Sequence, residues 1–100
     1  MAIMKVTAEN FEQVKNSDKT VLLDFYADWC GPCRMVGPLV EQLAEEYPEY
    51  LICKINVDDE PGLAAQFGVV SIPTLVVMEK GEIKNRSTGY RPKEEILELL

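Results

Sequence analysis

The chain has 100 residues, of which 47% are hydrophobic and 27% charged, values typical of a single domain (residues 1–100) with one hydrophobic core. Seventeen acidic against ten basic residues give a net charge of −7. Nucleic acids and anionic membranes are bound by basic surfaces, so we expect neither as a partner of this chain, which we expect to be monomeric.

The first ten residues and the cysteine content indicate a cytoplasmic protein. The N-terminus lacks the basic head, apolar run and cleavage site of a secretory signal, and no stretch reaches the roughly 20 apolar residues of a membrane span. The chain has three cysteines and no histidine. Three cysteines are too few for a disulfide scaffold, and a close pair in a cytoplasmic protein indicates redox or metal chemistry.

Hydrophobic patterning predicts the first elements. Residues 3–6 form a short apolar strand, after which Thr7 is a candidate N-cap for a helix reaching residue 16. Residues 21–27 are almost continuously apolar, which is typical of a parallel strand covered on both faces. Over residues 32–47 apolar side chains recur at helical spacing and predict a long amphipathic helix.

The second half of the chain continues this alternation and ends in a hairpin. Its predicted elements are a strand at residues 51–57, a helix at 61–67, a strand at 74–78, a turn at 80–82, a strand at 83–88 and a final helix beginning at Pro92. Helices between the early strands favour parallel pairing, whereas a hairpin must be antiparallel. We therefore predict an α/β fold, with a mixed five-stranded sheet flanked by four helices on both faces.

Cys30 and Cys33 flank Gly31 and Pro32 at the predicted junction of the buried strand and the long helix. This spacing brings both sulfurs within bridging distance on one helical turn. We expect Cys30 to be exposed at the start of the helix and Cys33, one turn further, to face the core. A helix N-terminus stabilises a thiolate and lowers a thiol pKa by roughly 0.2–1.5 units, which suits Cys30 to thiol–disulfide exchange.

Two other interpretations of the pair are weaker. A zinc site needs four ligands, but only Cys53 is left and there is no histidine, so we expect no metal. A purely structural bridge across two residues would constrain little of the unfolded chain. Asp24, inside the apolar strand, is either a structurally satisfied polar residue or a proton carrier whose pKa is raised by burial.

An ordered set of motifs extends along nearly the whole chain, from about residue 3 to residue 100. The motifs are Asp24-Phe25, Trp29-Cys30-Gly31-Pro32-Cys33, Met35, Pro38, Asn56-Val57-Asp58, Ser71-Ile72-Pro73-Thr74, Gly81 and Gly89. In this order they resemble the thioredoxin family, whose active-site signature residues 29–33 match one for one. Val70 departs from the pattern, where a more polar residue is usual, and this bears on which partners are preferred.

The resemblance implies the thioredoxin fold and the activity of a protein-disulfide reductase, a thiol–disulfide oxidoreductase. By position, Cys30 resembles the nucleophile that attacks a target disulfide, and Cys33 resembles the thiol that resolves the mixed disulfide. Asp24 resembles the buried carboxylate that manages the Cys33 proton. Lys54 resembles the basic residue near it across the sheet, although its strand pattern also suits an ordinary polar-face residue. Pro73 resembles a cis-proline that faces the cysteines.

The resemblance also implies a substrate-docking rim and a set of partners. The implied rim residues are Trp29, Gly31, Pro32, Val70, Ile72, Pro73 and Gly89. Among them, Ile72 resembles the residue whose backbone pairs with the substrate. No cofactor is implied beyond the reversible Cys30–Cys33 disulfide, which receives electrons from a thioredoxin reductase or an equivalent enzyme. The implied substrates are proteins that contain disulfides.

Two other functions are compatible with the motif. A disulfide oxidase or isomerase would use the same thiols at a higher redox potential, but Gly31-Pro32 between the cysteines resembles the reducing members of the family. A non-catalytic module would hold a partner through the rim, with reduction incidental. The redox potential separates the first alternative from a reductase, and a variant without either thiol separates the second.

Overall fold

The computed structural model describes residues 2–100, and Met1, which the predicted domain includes, lies outside the described residues. Within them, strands and helices follow one another in the predicted order. The elements are β1 (Met4–Lys5), α1 (Phe11–Lys15), β2 (Val21–Tyr26), α2 (Gly31–Glu46), β3 (Leu51–Asn56), α3 (Pro61–Gln66), β4 (Thr74–Glu79), β5 (Glu82–Thr88) and α4 (Lys93–Leu99).

The five strands form one mixed sheet in the order β1-β3-β2-β4-β5. Strands β1 and β2 both run parallel to β3, whereas β4 runs antiparallel to β2 and to β5. In this register Asp24 of β2 lies beside Lys54 of β3. The predicted α/β fold is confirmed, with parallel strands first and an antiparallel hairpin at the C-terminal end.

Side chains of β2 pack on both faces of the sheet, which explains its almost continuously apolar sequence. On one face Leu23 and Phe25 join a core cluster that contains Phe11 and Val14 of α1 and Leu63 of α3. The cluster on the opposite face draws on α2, α4 and the sheet. Its buried members are Leu22, Val36, Val40, Leu43, Ala44, Ile52, Leu75, Val77 and Ile96. The sheet is therefore the middle one of three layers.

Helix α1 begins later than the sequence predicts. Thr7 does not cap it, because the side-chain oxygen of Asn10 accepts a hydrogen bond from Thr7 N (2.8 Å) and Thr7 Oγ1 accepts one from Glu9 N (3.3 Å). Such local bonds compete with helix formation, and here they close a turn before the helix starts at Phe11. Phe11 and Val14, three positions apart on one face of the helix, are both buried.

Helix α2 starts one residue earlier than predicted, directly after the cysteine that caps it. Cys30 has an extended backbone (φ −90°, ψ 115°) and occupies the N-cap position. Pro32 lies in the first turn, where its missing N–H has no helical partner to lose. The helix continues through Pro38 to Glu46. Among residues 2–100, no helix combines the length and the apolar character needed to cross a membrane.

A hairpin turn joins β4 to β5, as predicted, but it has two residues, because Glu82, predicted to lie in the turn, already belongs to β5, where it pairs with Glu79 of β4. Lys80 and Gly81 both have positive φ, 52° and 80°, which is the geometry of the type I′ turns that suit a twisted hairpin. Gly81 also lies against α1, where an added Cβ would be 3.4 Å from the carbonyl oxygen of Lys15. The backbone conformation therefore favours glycine at this position, whereas the contact with Lys15 is an ordinary van der Waals distance.

We expect Gly81→Ala to lower the free energy of unfolding by about 1–2 kcal/mol, because a Cβ is unfavourable at positive φ. The matched control is Gly62→Ala, since an added Cβ in α3 meets no atom within 4 Å and alanine favours helix. Urea unfolding measures both variants. Equal stability of the two alanine variants would contradict the account of the turn.

Candidate functional site

A disulfide joins Cys30 and Cys33 at the start of α2, with their Cα atoms 5.2 Å apart. The backbone N–H of Cys33 points at Cys30 Sγ, at a distance of 3.2 Å. This N–H is one of the donors that a helix leaves unpaired at its first turn. The same donor and the positive end of the helix dipole can stabilise a thiolate on Cys30 once the disulfide is reduced.

The expectation that Cys30 is exposed is wrong for the disulfide form. Cys30 is 5% exposed and Cys33 is 4% exposed. The Cys30 sulfur is bonded to Cys33 and lies 3.7 Å from the carbonyl oxygen of Ile72. The pair also packs with Ala27 and Val57. The burial of Cys30 follows from its tertiary contacts with Cys33 and the Ile72 backbone, which the sequence does not encode. Burial of Cys33 agrees with its predicted core-facing position.

The loop that precedes β4 faces the disulfide. The peptide bond between Ile72 and Pro73 is cis, as the resemblance implies. Two hydrogen bonds hold this loop: Gly89 N donates to Pro73 O (2.8 Å), and Thr74 Oγ1 donates to Ser71 O (2.6 Å). Together they bring Ile72, Pro73 and Gly89 to the same end of the sheet as Cys30.

Asp24 is a buried carboxyl in the middle of β2. It is 3% exposed, and its Oδ1 atom has no hydrogen-bond partner among the described residues. Burial raises the pKa of Asp24 from 3.8 to about 7, although the positive charge of Lys54 lowers that pKa in part. A carboxyl with this pKa exchanges its proton near neutral pH. The unpaired Oδ1 argues against the interpretation of Asp24 as a structurally satisfied polar residue.

A small crevice connects Asp24 with the inner cysteine. Its volume is about 80 Å³, and its lining residues are Ile3, Asp24, Tyr26, Cys33, Gly37, Glu41 and Lys54. A polar cavity of this size is large enough to hold water. The ammonium of Lys54 also lies 5.8 Å from the ring centre of Tyr26. The structure thus brings three of the predicted site residues, Asp24, Cys33 and Lys54, to one crevice.

The predicted rim lies on the outer side of the disulfide. Trp29 is 67% exposed and Val70 is 97% exposed, and Gly31 and Pro32 are exposed in the first turn of α2. A shallow groove of about 140 Å³ runs beside them. The residues that line it are Trp29, Val57, Ala64, Val69, Val70 and Ile72. The rim therefore includes an apolar groove.

Some residues of this surface were given no role by the sequence. Asp58, which the sequence places in a motif without a role, accepts a hydrogen bond of 2.8 Å from Trp29 Nε1. An indole N–H usually has a hydrogen-bond acceptor, and this requirement is the sequence signal that could have indicated a partner for Trp29. Ala64 and Val69 line the groove, but each fits an ordinary helix or loop pattern and gives no signal. Within residues 2–100, His, Cys, Asp and Glu form no group that could hold a metal ion.

A disulfide across two residues at a helix N-terminus, faced by a cis-proline and set on this sheet, defines the class of thiol–disulfide oxidoreductases. Comparisons with known proteins narrow the class. The family model described as Thioredoxin matches residues 2–100. The chain belongs to the thioredoxin family, whose members reduce protein disulfides.

Thioredoxins of other organisms are similar to this chain over almost its full length. It is 46% identical to the thioredoxin of Bacillus subtilis (strain 168) over 101 residues, which cover 100% of this chain and 96% of that protein. It is 48% identical to the thioredoxin of Listeria monocytogenes over 99 residues, 98% and 95% of the two chains. The solved structure of a mutant thioredoxin from Halobacterium salinarum NRC-1 superposes with a TM-score of 0.91 at 38% identity, covering 97% of this chain and 86% of that one.

The raised pKa of Asp24 makes the stability of the fold depend on pH. Between pH 3.8 and about 7 the unfolded chain has lost this proton while the folded chain retains it, so wild-type stability falls as pH rises through that window. The asparagine of Asp24→Asn cannot ionise, so this variant does not lose that stability as the pH rises. We expect its stability relative to wild type to increase by roughly 4 kcal/mol from acidic to alkaline pH, at about 1.4 kcal/mol per unit.

Urea unfolding of the two oxidised proteins at about pH 4, 6 and 8 measures this difference. All other titrating groups are common to both proteins, so their effects cancel when the two curves are subtracted. The difference should increase up to about pH 7 and level off above it. A difference that stays constant with pH would contradict the protonated state assigned to the buried carboxyl.

Proposed function

We propose that this chain reduces disulfides in other proteins with Cys30 as the nucleophile and Cys33 as the resolving thiol. The observation that carries the proposal is the Cys30–Cys33 disulfide at the N-terminus of α2, beside the backbone of Ile72. Family membership supports the reaction. The roles of the individual residues follow from where each lies relative to the two sulfurs.

The exchange proceeds in two steps that balance. The thiolate of Cys30 attacks one sulfur of the target disulfide, forms a mixed disulfide and releases the other target sulfur as a thiolate, which takes up a proton. Deprotonated Cys33 then attacks Cys30 Sγ, restores the intramolecular disulfide and releases the second target thiolate. Two electrons pass to the target. Reduction of the Cys30–Cys33 bond leaves the Cys30 sulfur free to form a bond with a target sulfur.

Asp24 accepts the proton that Cys33 must lose before the second step. Three observations support this role: the pKa of Asp24 is about 7 because the residue is buried, its Oδ1 is unpaired among the described residues, and the crevice joins it to Cys33. Water in the crevice would carry the proton between the two groups. Lys54 modulates this step because its charge lowers the pKa of Asp24.

The rim docks the target. Its apolar groove receives side chains next to the target cysteine, and exposed Trp29 and Val70 supply most of the apolar contact. The backbone of Ile72 pairs with the extended target chain, as in β-strand addition. Gly31, Pro32, Pro73 and Gly89 complete the rim without bulky side chains that would block approach to Cys30.

The same proposal includes the partners and the setting. The chain acts as one domain, residues 1–100, and as a monomer in the cytoplasm. It needs no cofactor of its own, because the electrons reside in the two thiols and a thioredoxin reductase or an equivalent enzyme replenishes them. Its protein substrates contain accessible disulfides. Neither nucleic acid nor membrane takes part, in keeping with a net charge of −7.

Catalytic amounts of the protein should accelerate the reduction of insulin disulfides by dithiothreitol, followed as turbidity. Cys30→Ser should reduce the acceleration to background because it removes the attacking sulfur. Cys53→Ala is the matched control: Cys53 is a free buried cysteine of β3, and this variant should keep wild-type activity. Full activity of Cys30→Ser would overturn the assignment of the nucleophile.

Cys33→Ser should trap substrates, because the mixed disulfide on Cys30 then lacks the thiol that resolves it. The reduced variant, immobilised and exposed to proteins that carry disulfides, should retain insulin and cellular targets until dithiothreitol releases them. The double variant Cys30→Ser, Cys33→Ser should retain none. Capture by Cys30→Ser with Cys33 intact would reverse the proposed order of attack.

A further inference from the structure

A loop of six residues, 68–73, connects α3 to β4 and forms one side of the candidate site. Val69, Val70 and Ile72 of this loop line the apolar groove beside the disulfide. The far end of the loop is fixed where Gly89 N bonds to Pro73 O. The near end, which includes Gly68, lies at the C-terminus of α3. The position of the groove therefore depends on the contacts that hold the near end of the loop.

Arg86, on the edge strand β5, holds the near end of loop 68–73. This residue belongs to β5, where it pairs with Val76 of β4. Its guanidinium reaches two successive carbonyls: Nη1 donates to Phe67 O, and Nη2 donates to Gly68 O at 2.9 Å. No other side chain of the described residues donates a hydrogen bond to either of these oxygens. The sequence predicts only that residue 86 lies in a strand.

The physical chemistry of this contact makes it more than an ordinary surface bond. The last carbonyls of a helix lack intrahelical partners and carry the negative end of the helix dipole. Phe67 is the C-cap of α3, and Gly68 follows in a left-handed conformation with φ of 63°. A guanidinium satisfies both oxygens at once with charge-assisted bonds. The contact fixes the direction in which the chain leaves the helix.

Beyond Gly68 the loop is restrained toward its far end, where Thr74 Oγ1 donates to Ser71 O, and by packing of Val69 and Ile72 against the core. Val69 N donates to Ala64 O at 2.9 Å, and Val70 is almost completely exposed. The side chain of Phe67 is anchored by aromatic contacts, with ring centres 5.6 Å from Phe11 and 5.4 Å from Phe25. These contacts hold the ring of Phe67, whereas Arg86 holds the backbone where the loop begins.

We propose that Arg86 is a positioning residue for substrate docking, which it serves by fixing loop 68–73 so that the groove and the Ile72 backbone are in place before a target arrives. The inference rests on the proposed function, in which that groove and backbone receive the target protein. A docking surface that is ordered in advance loses less conformational entropy on binding. Arg86 itself touches neither cysteine nor substrate.

The test compares a protein disulfide with a small one. The reduced wild type and Arg86→Ala are mixed with insulin over a range of concentrations and, separately, with 2-hydroxyethyl disulfide, which is too small to use the groove. We expect Arg86→Ala to raise the half-saturating insulin concentration by roughly fivefold. The maximal rate with insulin and the rate with the small disulfide should stay at wild-type values, because the thiol pair is untouched.

Two further variants and one spectroscopic measurement sharpen the test. Arg86→Lys keeps the charge but cannot bond both carbonyls in a fork. Its half-saturating insulin concentration should therefore lie between those of the wild type and Arg86→Ala. Lys84→Ala, which removes a cation from the same strand, should match the wild type. Amide hydrogen exchange of Val69 should be faster in Arg86→Ala, whereas exchange of β2 amides should be unchanged.

The outcomes separate the two proposals. An unchanged half-saturating concentration in Arg86→Ala, or an equal loss of rate with both disulfides, would overturn the positioning role while the wild type still reduces insulin. Faster exchange of Val69 without any change in insulin dependence would overturn it as well. A wild type that reduces neither disulfide would overturn the proposed function itself, and the role of Arg86 with it.

Discussion

The central strand β2 is covered by core side chains on both faces, and the arrangement of the site depends on this double burial. Because β2 lies between β3 and β4, its one polar residue, Asp24, is buried and borders only the small crevice beside α2. The chain leaves β2 at one end of the sheet and turns at once into α2, so the N-cap of that helix falls at this end. The cysteine in the N-cap position and the loop before β4 then meet over the end of β2.

Cys30 and Asp24 experience electrostatic effects of opposite sign: the first favours a negative charge and the second disfavours one. The start of α2 offers an unpaired N–H to Cys30 Sγ and favours a negative charge there. Burial disfavours a negative charge on Asp24 and raises its pKa to about 7. One group is therefore suited to hold a negative charge and the other to hold a proton. Lys54 moderates the second effect from the neighbouring strand.

Much of this could be predicted from the sequence, because periodicity reports burial and turn residues report chain reversals. The strand order, the exposure of Cys30 and the cis bond before Pro73 could not be predicted that way. Strand order and the exposure of Cys30 depend on tertiary packing, and only the family resemblance indicated the cis bond. The contact of Arg86 with Phe67 O joins residues 19 positions apart in the chain, and no local pattern encodes it.

The third sulfur has a different consequence. Cys53 lies fully buried in β3, and burial raises its pKa to about 12. A thiol that is buried and un-ionised is a poor nucleophile, so we expect this cysteine to take no part in disulfide exchange with the pair at the start of α2 while the protein is folded. Unfolding returns Cys53 to solvent with an ordinary acidity. Unfolding of the sheet would therefore expose a thiol that can form disulfides between denatured chains. Burial of Cys53 in the folded core prevents this reaction.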